Sequence, residues 1–152
     1  MTRYLFICVE NSCRSQMAEG FARMLGGDAV EAHSAGSKPS GVVNPKAIAS
    51  MAELGYDLGA HASTGLDSLP EGDFAATITM GCGDACPDVP ARLREDWPLP
   101  DPKHMEPAEF ADTPSIEPRR KAASIPRMVS APPRLRVTSP PARRRATSQA
   151  PR

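Results

Sequence analysis

Aromatic residues are scarce: four Phe, two Tyr and one Trp in 152 residues. With so few large rings and 17 prolines, the chain is not expected to pack along its whole length into one dense core. Long apolar runs are missing as well. No stretch reaches the roughly 18 apolar residues of a membrane-spanning helix, so a membrane partner is excluded. The first nine residues carry one Arg, a short apolar run and no small-residue cleavage site. A secretory leader is therefore not expected, and a cytoplasmic setting is. Four cysteines without a leader point to reduced thiols, redox catalysis or metal rather than to a disulfide framework.

Net charge is zero, with 18 Lys and Arg against 18 Asp and Glu, but the balance hides two unlike halves. Residues 1–112 carry a net charge of −9 and residues 113–152 a net charge of +9. The second block also holds 8 of the 17 prolines, and its few apolar residues follow no period. Such a segment cannot bury enough apolar surface to offset its ordering entropy. The expected organisation is a folded domain over 1–112 and a basic, Pro/Arg-rich disordered tail over 113–152.

The folded part alternates strand and helix. Tyr4–Ile7 is a continuous apolar run, as in a strand buried on both faces. Residues 11–15 are rich in helix-capping types, and Met17, Phe21, Met24 and Leu25 then fall on one helical face, stopped by Gly26-Gly27. Residues 29–34 can form a second strand, with Val30, Ala32 and Ser34 on one side. Asn44-Pro45 reads as an N-cap and first helical position, with Ile48, Met51 and Ala52 as the buried face and Gly55 as the stop. Residues 75–80 read as a third strand, and a fourth lies near Asp96-Trp97. This order implies an α/β, three-layer fold: a four-stranded parallel sheet flanked by helices. Sites in such sheets lie beyond the carboxyl ends of the strands, where Cys8 and Cys82 both fall.

The strongest local signal is Cys8-Val9-Glu10-Asn11-Ser12-Cys13-Arg14-Ser15. A Cys ends a buried strand and an Arg follows six positions later as a helix begins. The loop between can wrap its backbone N–H groups around a tetrahedral oxyanion, and the helix N-terminus adds positive potential. Arg14 can grip two oxygens at once. Ser15 is placed to donate a hydrogen bond to the Cys8 sulfur. Together these features favour thiolate over thiol, so Cys8 is expected to be nucleophilic near neutral pH. The bland alternative is a buried strand-end Cys and a surface Arg, but the strand–loop–helix context makes a chance match rare.

Residues 8–21 resemble the phosphate loop of the low-molecular-weight protein tyrosine phosphatase superfamily, and most closely its thioredoxin-coupled arsenate reductases. Further similar segments are S-A-G at 34–36, V-N-P-K-A-I at 43–48, T-M-G-C-G-D-A-C-P at 79–87 and E-D-W-P-L-P-D-P at 95–102. In that order they span about residues 3–110. The resemblance implies the four-stranded parallel sheet and the reduction of arsenate to arsenite.

It also implies roles for Cys82 and Cys86, which the residues alone leave open between reactive and inert loop thiols. Arsenate reduction needs two electrons, and a thiol pair can supply them. In the implied relay Cys8 forms a thiol–arsenic adduct and Cys82 attacks Cys8. Cys86 then attacks Cys82, and the resulting disulfide is offered to thioredoxin or a similar thiol reductant. Glycines at 81 and 83 would let the loop rearrange.

Asp101-Pro102 reads equally as a turn pair; the resemblance makes Asp101 the general acid. The resemblance further implies a possible potassium ion held by Asn11, Glu19, Ser34 and Asp67, and no tightly bound cofactor. The four cysteines could also be counted as a zinc set, but Cys8 belongs to the oxyanion loop and Cys13 to a helix start, so zinc is not expected. His33, His61 and His104 have no ligand spacing and read as surface or satisfied histidines. The resemblance fails after Phe110, where a packed amphipathic helix is expected and prolines 114, 118 and 126 exclude one. Losing such a helix could cost several kcal/mol, comparable to a domain's net stability. The Arg143–Arg145 cluster lacks interleaved aromatics, so nucleic acid is not expected as a partner.

Three functions remain in view. The first is arsenate reduction, with arsenate, phosphate or sulfate as the oxyanions that fit the loop. The second is phosphomonoester hydrolysis by Cys8, Arg14 and Asp101. The third is anion binding or redox sensing without turnover.

Overall fold

A computed structural model describes residues 1–81 and 89–98. Four strands, β1 (Thr2–Cys8), β2 (Val30–Gly36), β3 (Phe74–Thr79) and β4 (Ala91–Asp96), form one sheet in the order β2-β1-β3-β4. Every neighbouring pair is parallel. Two helices, α1 (Arg14–Gly26) and α2 (Pro45–Glu53), fill the crossovers, with single 3-10 turns at Gly27–Ala29, Leu58–Ala60 and Leu66–Ser68. This is the α/β architecture with a four-stranded parallel sheet expected from the alternating pattern. No helix among the described residues is long and apolar enough to cross a membrane.

β1 is the central strand, and its side chains alternate between two apolar clusters. Tyr4, Phe6 and Cys8 join the cluster beneath α1 and α2, with Met17, Phe21, Met51 and Ile78. Leu5 and Ile7 pack on the opposite face with Ala35 and Phe74, bordered by Leu66, Leu69 and Val89. The apolar run from Tyr4 to Cys8 is thus explained by burial on both faces.

Several boundaries and faces differ from the sequence expectation. The second strand continues through Gly36, and the third begins one residue earlier, at Phe74. The fourth ends at Asp96, and its ARLRED sequence lies mostly exposed at the sheet edge, which is why no apolar run marks it. In α1, residues Ser15 to Ala22 are buried all round, whereas Met24 and Leu25 are exposed. The first two turns are enclosed by the sheet, the oxyanion loop and α2; the last turn emerges from that packing. Close approach to α2 needs Gly20, where a Cβ would stand 2.8 Å from Met51 Cε. In α2, Ala47 and Met51 are buried, Ile48 is half-buried and Ala52 faces out. Asn44 does cap α2, accepting the Lys46 N–H at 2.9 Å. The expected division at residue 112 and the tail over 113–152 lie outside the described residues.

Candidate active site

Cys8 is the last residue of β1 and is 3% exposed. The chain then makes a tight loop and enters α1 at Arg14. The loop is held from behind. The carbonyls of Cys8, Val9, Glu10 and Ser12 accept from the backbone N–H groups of Ser37, Lys38, Ser40 and Asn44 at 2.8–3.3 Å. Ser63 Oγ also donates to the Glu10 carbonyl, at 3.0 Å. In a trans peptide the N–H points away from the carbonyl of its own unit, and no peptide here is cis. The amides of Val9, Glu10, Asn11 and Cys13 therefore turn inward. One of them is seen doing so: Asn11 N–H donates to Cys8 Sγ at 3.2 Å. Asn11 adopts φ 48°, the left-handed region that Asn tolerates better than most residues. Gly36 supplies the clearance behind it, since a Cβ there would lie 2.7 Å from the Val9 carbonyl oxygen and 2.9 Å from Asn11 N.

Ser15 Oγ lies 2.9 Å from Cys8 Sγ, as the spacing foretold. Asn11 Nδ2 donates to that same oxygen at 2.9 Å. The Cys8 sulfur thus has two hydrogen-bond partners, the Asn11 amide and the Ser15 hydroxyl. Arg14 Nη1 donates to the Met80 carbonyl at 2.7 Å, bringing the guanidinium to the carboxyl end of β3. Met80 N–H in turn bonds the Ile7 carbonyl at 2.9 Å, so the ends of β1 and β3 are tied together. An inward ring of amides, a helix N-terminus, an Arg and a buried sulfur together fit a small tetrahedral oxyanion.

Cys82, Cys86 and Asp101 lie outside the described residues. Thr79 and Gly81, at the base of the segment that leads to Cys82, are both anchored. Asp96 Oδ1 accepts from Thr79 Oγ at 2.6 Å and from Gly81 N–H at 3.0 Å. Cys13 is buried in the core, with its Sγ 3.9 Å from Met17 Sδ.

Of the residues expected to hold potassium, Glu19 and Ser34 are hydrogen-bonded to each other. Asn11 Oδ1 already accepts from Gln16 Nε2 and Thr64 N–H, each at 2.9 Å. Glu19 pairs with Arg23, whose Nε and Nη2 reach its Oε1 at 3.0 and 2.8 Å, and its Oε2 accepts from Ser34 Oγ at 2.5 Å. Asp67 is exposed on a 3-10 turn. Among the described residues no group of three or more His, Cys, Asp or Glu is arranged for a metal.

Gln16 was not singled out from sequence, yet it is fully buried and donates through Nε2 to Asn11 Oδ1, to the Asn11 carbonyl and to the Ala62 carbonyl at 2.9–3.2 Å. His61 is a satisfied histidine, as expected, but it is satisfied by this network: Nδ1 is 2.9 Å from Gln16 Oε1 and Nε2 is 2.7 Å from Tyr56 Oη. Burial holds the His61 imidazole below its ordinary 6.5, with Arg23 acting in the same direction against Glu19 and Asp57. No sequence signal marks either residue, because the contact spans 45 positions.

This fold and loop define a class. The family model of low molecular weight phosphotyrosine protein phosphatase matches residues 3–121, and the chain belongs to that family. Curated relatives that match this chain include arsenate reductases. An arsenate reductase of Staphylococcus xylosus is 43% identical over 108 residues, 69% of this chain and 82% of that protein. A glutaredoxin arsenate reductase of Synechocystis is 41% identical over 105 residues, 67% of this chain and 79% of that protein. Among solved structures, an arsenate reductase in the phosphate binding state superposes with a TM-score of 0.73 at 32% identity, covering 86% of this chain and 98% of the other. A thioredoxin-dependent arsenate reductase of Corynebacterium glutamicum gives 0.65 at 30%, covering 86% and 64%.

Proposed function

We propose that this protein reduces arsenate to arsenite by a cysteine relay that starts at Cys8. The observation that carries the reading is the buried Cys8 sulfur, hydrogen-bonded by Ser15 and by the Asn11 amide at the mouth of an inward-facing amide loop. Relatives named arsenate reductase over most of the chain support the substrate. Arsenate is a tetrahedral oxyanion of the kind the loop and Arg14 can grip, and phosphate and sulfate share its shape.

The proposed steps follow the electrons. Cys8 thiolate attacks arsenic, and Asp101 protonates the oxygen that departs. Cys82 thiolate attacks the Cys8 sulfur; the sulfur–arsenic bond breaks with its electron pair going to arsenic. Arsenic(V) becomes arsenic(III), arsenite leaves, and a Cys8–Cys82 disulfide remains. Cys86 then attacks Cys82 and releases Cys8 as thiolate. The Cys82–Cys86 disulfide takes two electrons from an external dithiol. The external dithiol is thioredoxin in this reading, since the relay ends in a disulfide between near neighbours. One relative is named for glutaredoxin instead, so both reductants belong in the assay.

The test is Cys82→Ser. A relay enzyme loses multiple turnover with arsenate, whereas a phosphatase keeps hydrolysing an aryl phosphate. If Cys82→Ser keeps reducing arsenate through many turnovers, the relay is wrong.

A further inference from the structure

A chain of hydrogen bonds runs from the far side of the oxyanion loop to the Cys8 sulfur, and its direction is fixed by backbone groups that have only one role. Thr64 N–H can only donate, and it donates to one end of the Asn11 carboxamide at 2.9 Å. That end must be Oδ1, so Nδ2 faces Ser15, whose oxygen takes that bond and lies 2.9 Å from Cys8 Sγ. Ala62 carbonyl can only accept, and it accepts from Gln16 at 2.9 Å. That end of Gln16 must be Nε2, so Oε1 faces His61. An amide oxygen only accepts. The proton of His61 must therefore sit on Nδ1, and Nε2 accepts from Tyr56 Oη.

We infer that His61 is a positioning residue for Cys8, acting through Gln16, Asn11 and Ser15 with its proton held on Nδ1. Gln16 is fully buried, and without the Nδ1 proton its oxygen would stand unpaired. An unpaired buried acceptor is costly enough to turn or displace the side chain. Gln16 in turn fixes Asn11, whose amide and side chain together set both hydrogen bonds on the sulfur. The chain conveys orientation and polarity, not protons, since its two amides do not exchange protons on a catalytic timescale.

His61 lies on the wall of a cavity of about 570 Å3, which Glu19 and Arg23 of α1, His33 of β2, and Tyr56 and Asp57 also line. These are the charged and titratable groups around it. Protonation on Nε2 would leave the Nδ1 proton where it is and reverse only the Tyr56 bond, so the polarity toward Cys8 survives acid. The tautomer, and not the charge, is what the loop depends on.

The inference requires only that Cys8 be the nucleophile, and its test reads that sulfur directly, so it stands or falls apart from arsenate turnover. Alkylation of Cys8 by iodoacetamide is followed across pH by mass analysis of its peptide, in full-length wild type and in His61→Ala and His61→Asn, with melting recorded in parallel. Asn can offer its Nδ2 where His61 holds Nδ1. Removing one buried hydrogen bond from the chain should slow alkylation at pH 7 about fivefold and move the profile to the alkaline side, and Asn should restore it to within about twofold. A profile unchanged by Ala, or a loss that Asn does not restore, overturns the inference. Nitrogen-15 shifts of the wild-type His61 ring decide independently of any variant: a neutral ring protonated on Nδ1 is expected, and one protonated on Nε2 overturns it.

Discussion

Ser15 Oγ stands 2.9 Å from Cys8 Sγ, and the same oxygen accepts from Asn11 Nδ2. The same residue lies in the first turn of α1, so the helix that completes the oxyanion site also carries the group that steadies its nucleophile. A hydrogen bond to a charged partner contributes about 1.5–3 kcal/mol. Ser15→Ala should therefore lower Cys8 alkylation and arsenate turnover by roughly 10- to 100-fold, with little change in KM. Steady-state kinetics of the variant check this.

Gly36 is required by the oxyanion loop rather than by its own strand. A Cβ at Gly36 would press within 2.9 Å of backbone atoms of Val9 and Asn11, and a backbone cannot yield as a flexible side chain does. Gly36→Ala should cost about 1–3 kcal/mol of stability and displace the Asn11 amide from the sulfur. Thermal melting and Cys8 alkylation should fall together. A variant that melts lower but alkylates at the wild-type rate would show that the loop does not depend on this clearance.

Arg14 should not tolerate Lys. Its guanidinium reaches the Met80 carbonyl and still has the fork geometry to meet two oxyanion oxygens, which an ammonium cannot do at once. Arg14→Lys should lower kcat/KM for arsenate by about 100-fold. Competition by phosphate should weaken in parallel.

Stability should fall with acid in two separate windows. His61 is held below 6.5 by burial, so the unfolded state binds its proton first; stability rises with pH through this range and declines as pH drops below 6.5. Glu31 is held below 4.5, first by the hydrogen bond from His33 and then by that from Arg3. Its contribution is present above 4.5 and is lost on further acidification. Urea titrations carried from pH 8 to well below 4.5 should show the upper window flattened in His61→Asn and the lower one unchanged.

Much of the fold was legible where local chemistry and burial agree. The apolar run Tyr4–Ile7, the Cys8–Ser15 loop and the Asn44-Pro45 cap each carry their own physical signature, and each appears as read. β4 was legible only at its end, because an exposed edge strand has no need of apolar alternation. Met24 and Leu25 matched a helical face that the last turn of α1 does not bury. Gln16 and His61 were invisible as a pair because helix position and loop position meet only through the tertiary fold.

The relay itself is tested by a single incubation. Fully reduced protein is mixed with arsenate and no external reductant, and arsenite, free thiols and disulfide-linked peptides are counted. The relay predicts about one arsenite per chain, the loss of two thiols, and a disulfide that includes Cys82. Arsenate left unreduced with all four thiols intact would contradict it.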